Sequence, residues 1–123
     1  MPATPPEGRR VVIIGRDLLT VTRIADAAAA AGYQAQRIDG PDQLPSAGEV
    51  HVALVDWSER QPGWAGALRS WRDDHATTAE PARVLLFGPH TDIEAHMAAR
   101  DSGLGPMMAR SKLFASLPAL LRE

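Results

Sequence analysis

Three short apolar runs constrain this chain more than any other feature: "RRVVIIG" at 9–15, "VHVALVDW" at 50–57 and "RVLLFG" at 83–88. A strand that buries one face alternates apolar with polar residues; a strand buried on both faces is apolar almost throughout. These runs are continuous, so they predict central strands of a sheet covered on both sides. The segments between them have helical periodicity. "DLLTVTRIADAAAAAG" (17–32) places Leu18, Val21, Ile24, Ala25 and Ala28 on one stripe, between an N-cap at Asp17 and a stop at Gly32. "PGWAGALRSWRDDH" (62–75) spaces Trp64, Ala67, Leu68 and Trp71 by threes and fours.

Two more helices follow. "TDIEAHMAARDSG" (91–103) opens with Thr91 and Glu94 at capping-box spacing and ends at Gly103. "SKLFASLPALLRE" (111–123) starts from Ser111 as N-cap. Pro118 predicts a kink or restart there, because it lacks an N–H and its ring crowds the carbonyl of Phe114. Two weaker strands complete the pattern: "YQAQRI" (33–38), expected at the sheet edge, and "GPMMAR" (105–110). Residues 39–49 leave room for only one or two helical turns.

Strands alternating with helices predict an α/β domain with a doubly wound, five-stranded parallel sheet. Right-handed crossovers leave few topologies, and this chain length favours the flavodoxin-like order 2-1-3-4-5. The domain covers 9–123. Residues 1–8, "MPATPPEG", hold three prolines and no apolar period and read as a flexible tail.

Several classes of function are excluded or disfavoured. The chain has no cysteine, so disulfides, zinc–thiolate sites, iron–sulfur clusters and thiol catalysis are out. The formal charge is −2 with both signs mixed, and no basic stripe announces a nucleic-acid partner. No apolar run approaches the ~20 residues of a membrane span. The N-terminus has neither the basic start nor the apolar middle of a signal peptide, so a cytoplasmic protein without membrane association is expected. No GxGxxG or P-loop supports a nucleotide cofactor. Ser58, His90 and Asp56 lack a GxSxG elbow and do not make a hydrolase triad. His90, Asp92 and His96 lie close together, but a helix start explains that stretch better than a metal site. His51, inside a strand, and His75, near a helix end, join no cluster. Trp64, Trp71, Met97, Met107 and Met108 read as packing residues.

Ligands of open α/β sheets bind outside the carboxyl ends of the strands. The residues delivered there are Gly15, Arg16 and Asp17; Asp56, Trp57 and Ser58; Gly88, Pro89 and His90; and Arg110. Arg16 is expected to pair with Asp56.

The order, the length and these loop positions resemble the receiver domain of bacterial response regulators, over residues 9 to 122. "HVALVDWSE" resembles the strand that ends in the phospho-accepting aspartate, which matches Asp56. The resemblance implies two adjacent acids for Mg²⁺ after the first strand, where this chain has Gly15 and Arg16. It implies Thr or Ser after the fourth strand, where Gly88 stands, and Lys followed by Pro after the fifth, where Arg110 and Ser111 stand. "FGPHTD" and "ARSKLFASLPALL" resemble small stand-alone receiver-like bacterial proteins. The expected function is therefore that of a pseudo-receiver: no catalytic residue, no cofactor or metal, a vestigial acceptor at Asp56, and signalling through protein contact. The helix at 91–103, the strand at 105–110 and the last helix would form the face for a protein partner or a homodimer. One alternative is an atypical receiver phosphorylated at Asp56, with Asp17 helping to hold Mg²⁺. Another is a small-anion or nucleotide module at the same cleft.

Overall fold

A computed structural model describes residues 9–73 and 82–122. The proline-rich tail and His75 lie outside these residues. Five strands, β1 (Arg10–Ile14), β2 (Gln34–Ile38), β3 (Val50–Asp56), β4 (Arg83–Gly88) and β5 (Met107–Ala109), form one sheet. Its order is β2-β1-β3-β4-β5 with every pairing parallel. Four α-helices connect them: α1 (Leu18–Ala30), α2 (Trp64–Asp73), α3 (Ile93–Asp101) and α4 (Arg110–Arg122). The segment between β2 and β3 holds two 3-10 turns, Pro41–Gln43 and Ala47–Glu49, in place of an α-helix. The Trp71 indole N–H donates to the Pro45 carbonyl at 2.8 Å and ties that segment to α2.

The apolar runs sort by parity, as strands buried on both faces must. Val11, Ile13, Val52, Leu54 and Phe87 pack against Ile24 and Ala28 of α1 and Leu113, Leu117 and Leu121 of α4. Val12, Ile14, Ala53, Val55 and Leu86 pack against Leu68 of α2 and Ala95 and Ala99 of α3. All seven residues of β3 are buried, whereas edge strand β2 buries only Ile38. Each fully buried Val, Leu or Ile is worth roughly 1.5–3 kcal/mol, so the central strands anchor the site at their ends.

The details depart from the sequence pattern in informative ways. Leu18 is 70% exposed; the buried line on α1 is Thr20, Ile24 and Ala28. Thr20 can be buried because its hydroxyl donates to Asp17 at 2.7 Å. Asp17 caps α1 as expected, accepting from the Leu19 N–H, and Gly32 and Gly103 follow their helices at φ of +90° and +78°. Ala67 is exposed, while Trp64 and Trp71 are half-buried against the core. The cap of α3 is Asp92 rather than Thr91: its carboxylate accepts from the Ala95 N–H, three residues on.

The last helix begins at Arg110, so Ser111 lies inside its first turn, and it runs through Pro118 without a restart. Its end is fastened to the sheet: His51 Nε2 lies 2.9 Å from the Leu121 carbonyl, and Arg83 donates to the Leu120 carbonyl at 2.6 Å. Carbonyls in the last turn have no partner within a helix, so both contacts stabilise the helix against fraying. Met107 is buried and Met108 half-buried, but Met97 is 59% exposed and is no packing residue.

Candidate functional site at the strand ends

Parallel register puts the strand ends side by side: Ile14 is level with Val55, Asp56 with Phe87, and Gly88 with Ala109. Asp56 therefore sits at the centre of the sheet's carboxyl edge, between the ends of β1 and β4. It is 3% exposed. The next residues curl into a 3-10 turn, Trp57–Glu59, and one Asp56 oxygen accepts from the Ser58 N–H at 3.1 Å. Asp56 is thus the cap of its own turn as well as the residue in the acceptor position.

Asp56 and Glu59 stand at the D-x-x-E spacing of a capping box, and the turn carries the Glu59 carboxyl back against Asp56. Burial first, and then the neighbouring Glu59 carboxyl, raise Asp56 from its ordinary 3.8 to about 6. Two opposing contacts are weaker: the Ser58 N–H and the Arg110 guanidinium, whose Nη2 lies 3.5 Å from Asp56 Oδ2. The cation facing Asp56 is Arg110, from the start of α4, and not Arg16. Arg16 belongs to Glu59: its backbone N–H donates to Oε2 at 3.1 Å, and its Nε lies 3.9 Å from Oε1. Glu59 intercepts it, so the Arg16 side chain stays 79% exposed.

The two glycines leave different amounts of room. A Cβ on Gly15 would touch the Asp56 Cβ at 3.4 Å, an ordinary contact, and approach Glu59 Oε2 at 3.9 Å. The space beside Gly15 is therefore taken by the acid that arrives from the β3 end. A Cβ on Gly88 would lie 2.9 Å from Met107 Sδ and 3.2 Å from Ser58 Oγ, so a Thr or Ser there requires Met107 to move. Ser58 does not supply the missing hydroxyl to Asp56; it donates to Asp92 at 2.7 Å. That bond and the cap on Ala95 hold Asp92 below the usual carboxylate range. His90 is exposed in the turn before α3 and makes no hydrogen bond among the described residues.

The geometry thus gathers Gly15, Asp56, Gly88 and Arg110 around one point, adds Glu59, and leaves Arg16, Asp17 and His90 at the rim. Both Asp17 oxygens are committed to the first turn of α1, on the Leu19 N–H and the Thr20 hydroxyl. Mg²⁺ demands oxygen donors in near-octahedral array. The carboxylate donors here are Asp56 and Glu59, each already accepting from a backbone N–H, with two guanidiniums on the flanks. This set does not fit the ion.

The sequence matches no protein-family model and no curated protein. Among solved structures, the chain is similar to a response regulator receiver domain protein from Clostridium thermocellum, with a TM-score of 0.65, 12% identity, and 93% of this chain and 91% of that one covered. It is also similar to a response regulator receiver protein from Burkholderia phymatum, with a TM-score of 0.57, 16% identity, and 93% and 95% covered. A third structure, from Burkholderia pseudomallei and described as pilus assembly-related, has a TM-score of 0.59 and 14% identity, with 98% and 95% covered. Identities this low carry the fold and nothing finer: the chain has the receiver fold. No helix among the described residues is long and apolar enough to cross a membrane.

Proposed function

We propose that this chain is a non-catalytic pseudo-receiver that works through protein–protein contact in bacterial signalling or regulation, without Mg²⁺-dependent phosphorylation of Asp56. The observation that carries the reading is the closed carboxyl pair. Phosphoryl transfer to a carboxylate needs a cation to neutralise charge on the moving group, and a free carboxylate to attack. Here Asp56 is buried, is crowded by the Glu59 carboxyl and faces Arg110 where a divalent ion would have to sit. The hydroxyl expected after β4 is absent, and Gly88 is packed so that adding one requires repacking.

A gate of that kind being closed, the surface acts in one state. Ile93 and Met97 are 68% and 59% exposed on α3, one helical turn apart, on the face expected for a partner. The notable competitor is a receiver phosphorylated at Asp56 with Glu59 as its second carboxylate. That competitor keeps the charge of an acidic site but has to break the pair first.

Incubation with acetyl phosphate and Mg²⁺, followed by intact-mass measurement, separates the two. The unmodified mass is expected. Addition of one phosphoryl group, lost in Asp56→Asn, overturns the proposal.

A further inference from the structure

We infer that the open cleft between α1 and α4 is a binding site for a phosphate-class oxyanion, gripped by Arg23 and Arg110. The cleft has a volume of about 550 Å³ and is lined by Arg23, Arg110, Ser111, Phe114 and Ala115. Two arginines and a serine line it, and no acidic residue does. Neighbouring clefts are of another kind: the one between α2 and α3 carries Asp92, Glu94 and Asp101, and the one beside Gly15 carries Asp39 and Glu59.

Arg23 is already in place. Its guanidinium carbon lies 3.8 Å from the centroid of the Phe114 ring. Stacking uses the flat face of the guanidinium and leaves its in-plane N–H groups to bond elsewhere. Among the described residues Arg23 makes no hydrogen bond or ion pair. Holding the side chain on the ring lowers the entropy cost of ligand capture. Arg110 spends Nη2 on Asp56, while its Nε is buried without a hydrogen-bond partner. Asp56 and Asp17, both drawn toward Arg110, face it from the strand ends and compete for it; neither lines the cleft. Arginine pairs offer the planar, bidentate geometry that suits phosphate oxygens. The volume exceeds what inorganic phosphate fills and lies in the range of small-molecule sites, with Phe114 and Ala115 as an apolar wall for an ester substituent.

The inference stands apart from the proposal about Asp56, so each fails independently. Titration of the ¹⁵N-labelled protein with inorganic phosphate and, separately, a nucleoside monophosphate tests it. Saturable shifts are expected at Arg23, Ser111, Phe114 and Ala115. Equal affinities assign the site to the free ion, and tighter nucleotide binding assigns it to a phosphate ester; both support the site. Arg23→Gln should weaken binding about tenfold by removing one charge-assisted contact. Phe114→Leu should weaken it several-fold by releasing Arg23, and Arg16→Gln should leave it unchanged. Because Arg23 is exposed, its variant is expected to fold, which circular dichroism verifies. No saturable shift with either ligand, or shifts reproduced by sodium chloride, overturns the inference. So does loss of binding in Arg16→Gln, which places the anion at the strand ends instead.

Discussion

Two arginines flank one carboxyl pair, and they do different things. On the β1 side, Arg16 is almost fully in solvent, and what it gives Glu59 is chiefly its backbone N–H. On the β5 side, Arg110 is two-thirds buried and its guanidinium is the cation that faces Asp56. The β1 side has Gly15 and Arg16 where the receiver resemblance implies acids, and the Glu59 carboxyl reaches it from the β3 loop. The β5 side keeps a cation at the position where the receiver resemblance expects one. Burial thus decides which arginine matters at this sheet edge.

Breaking the buried side should have the largest effect. Arg110→Ala leaves a desolvated carboxyl pair without its cation. Removing one partner of a fully buried ion pair costs about 3–5 kcal/mol; with a partly exposed arginine and an acid able to protonate, about 2 kcal/mol is expected. The loss should be greatest above pH 6 and should shrink as pH falls through about 6, where Asp56 takes up its proton in the folded chain. Urea denaturation at two pH values measures it. A loss independent of pH would mean that Arg110 acts through packing alone.

Asp56→Asn should have the opposite sign. The folded state binds the Asp56 proton more tightly than the unfolded chain does. Between 3.8 and about 6, stability therefore falls as pH rises, and the full cost of ionising Asp56 is present above that window. An amide removes that cost but gives up the Arg110 ion pair. The variant should gain roughly 1–2 kcal/mol at pH 8 over its effect at pH 3.5. Flat thermal-shift differences across this range would contradict a raised Asp56 pKa. The smallest effect belongs to Arg16→Ala, expected within about 0.5 kcal/mol of wild type by the same denaturation, because exposed ion pairs contribute little. A larger loss would make the two sides alike.

The parts legible from the sequence are those fixed by period and burial. Three uninterrupted apolar runs gave the central strands and placed Asp56 at the end of one of them, and the five-stranded order followed from strand–helix alternation. Glu59 was not legible. In "DWSER" an acid after a strand reads as a solvated turn residue. The available signal was the D-x-x-E spacing, and using it requires treating Asp56 as a cap and as a site residue together. Arg16 was matched with Asp56 because both lie at strand ends, but adjacency in topology does not say which of two acids reaches an arginine first. The exposed Leu18 and Met97 escaped for a related reason: periodicity finds a stripe without telling which turns of a helix have something packed beneath them.

The account depends on the pair of carboxyl groups refusing a divalent ion. Titrating the ¹⁵N-labelled protein with Mg²⁺ near neutral pH, while following the amides of Gly15, Arg16, Ser58, Glu59 and Arg110, tests this directly. The account predicts small, non-saturating changes equal to those from matched ionic strength. Saturable shifts centred on Ser58 and Glu59, abolished by Asp56→Asn, would contradict it.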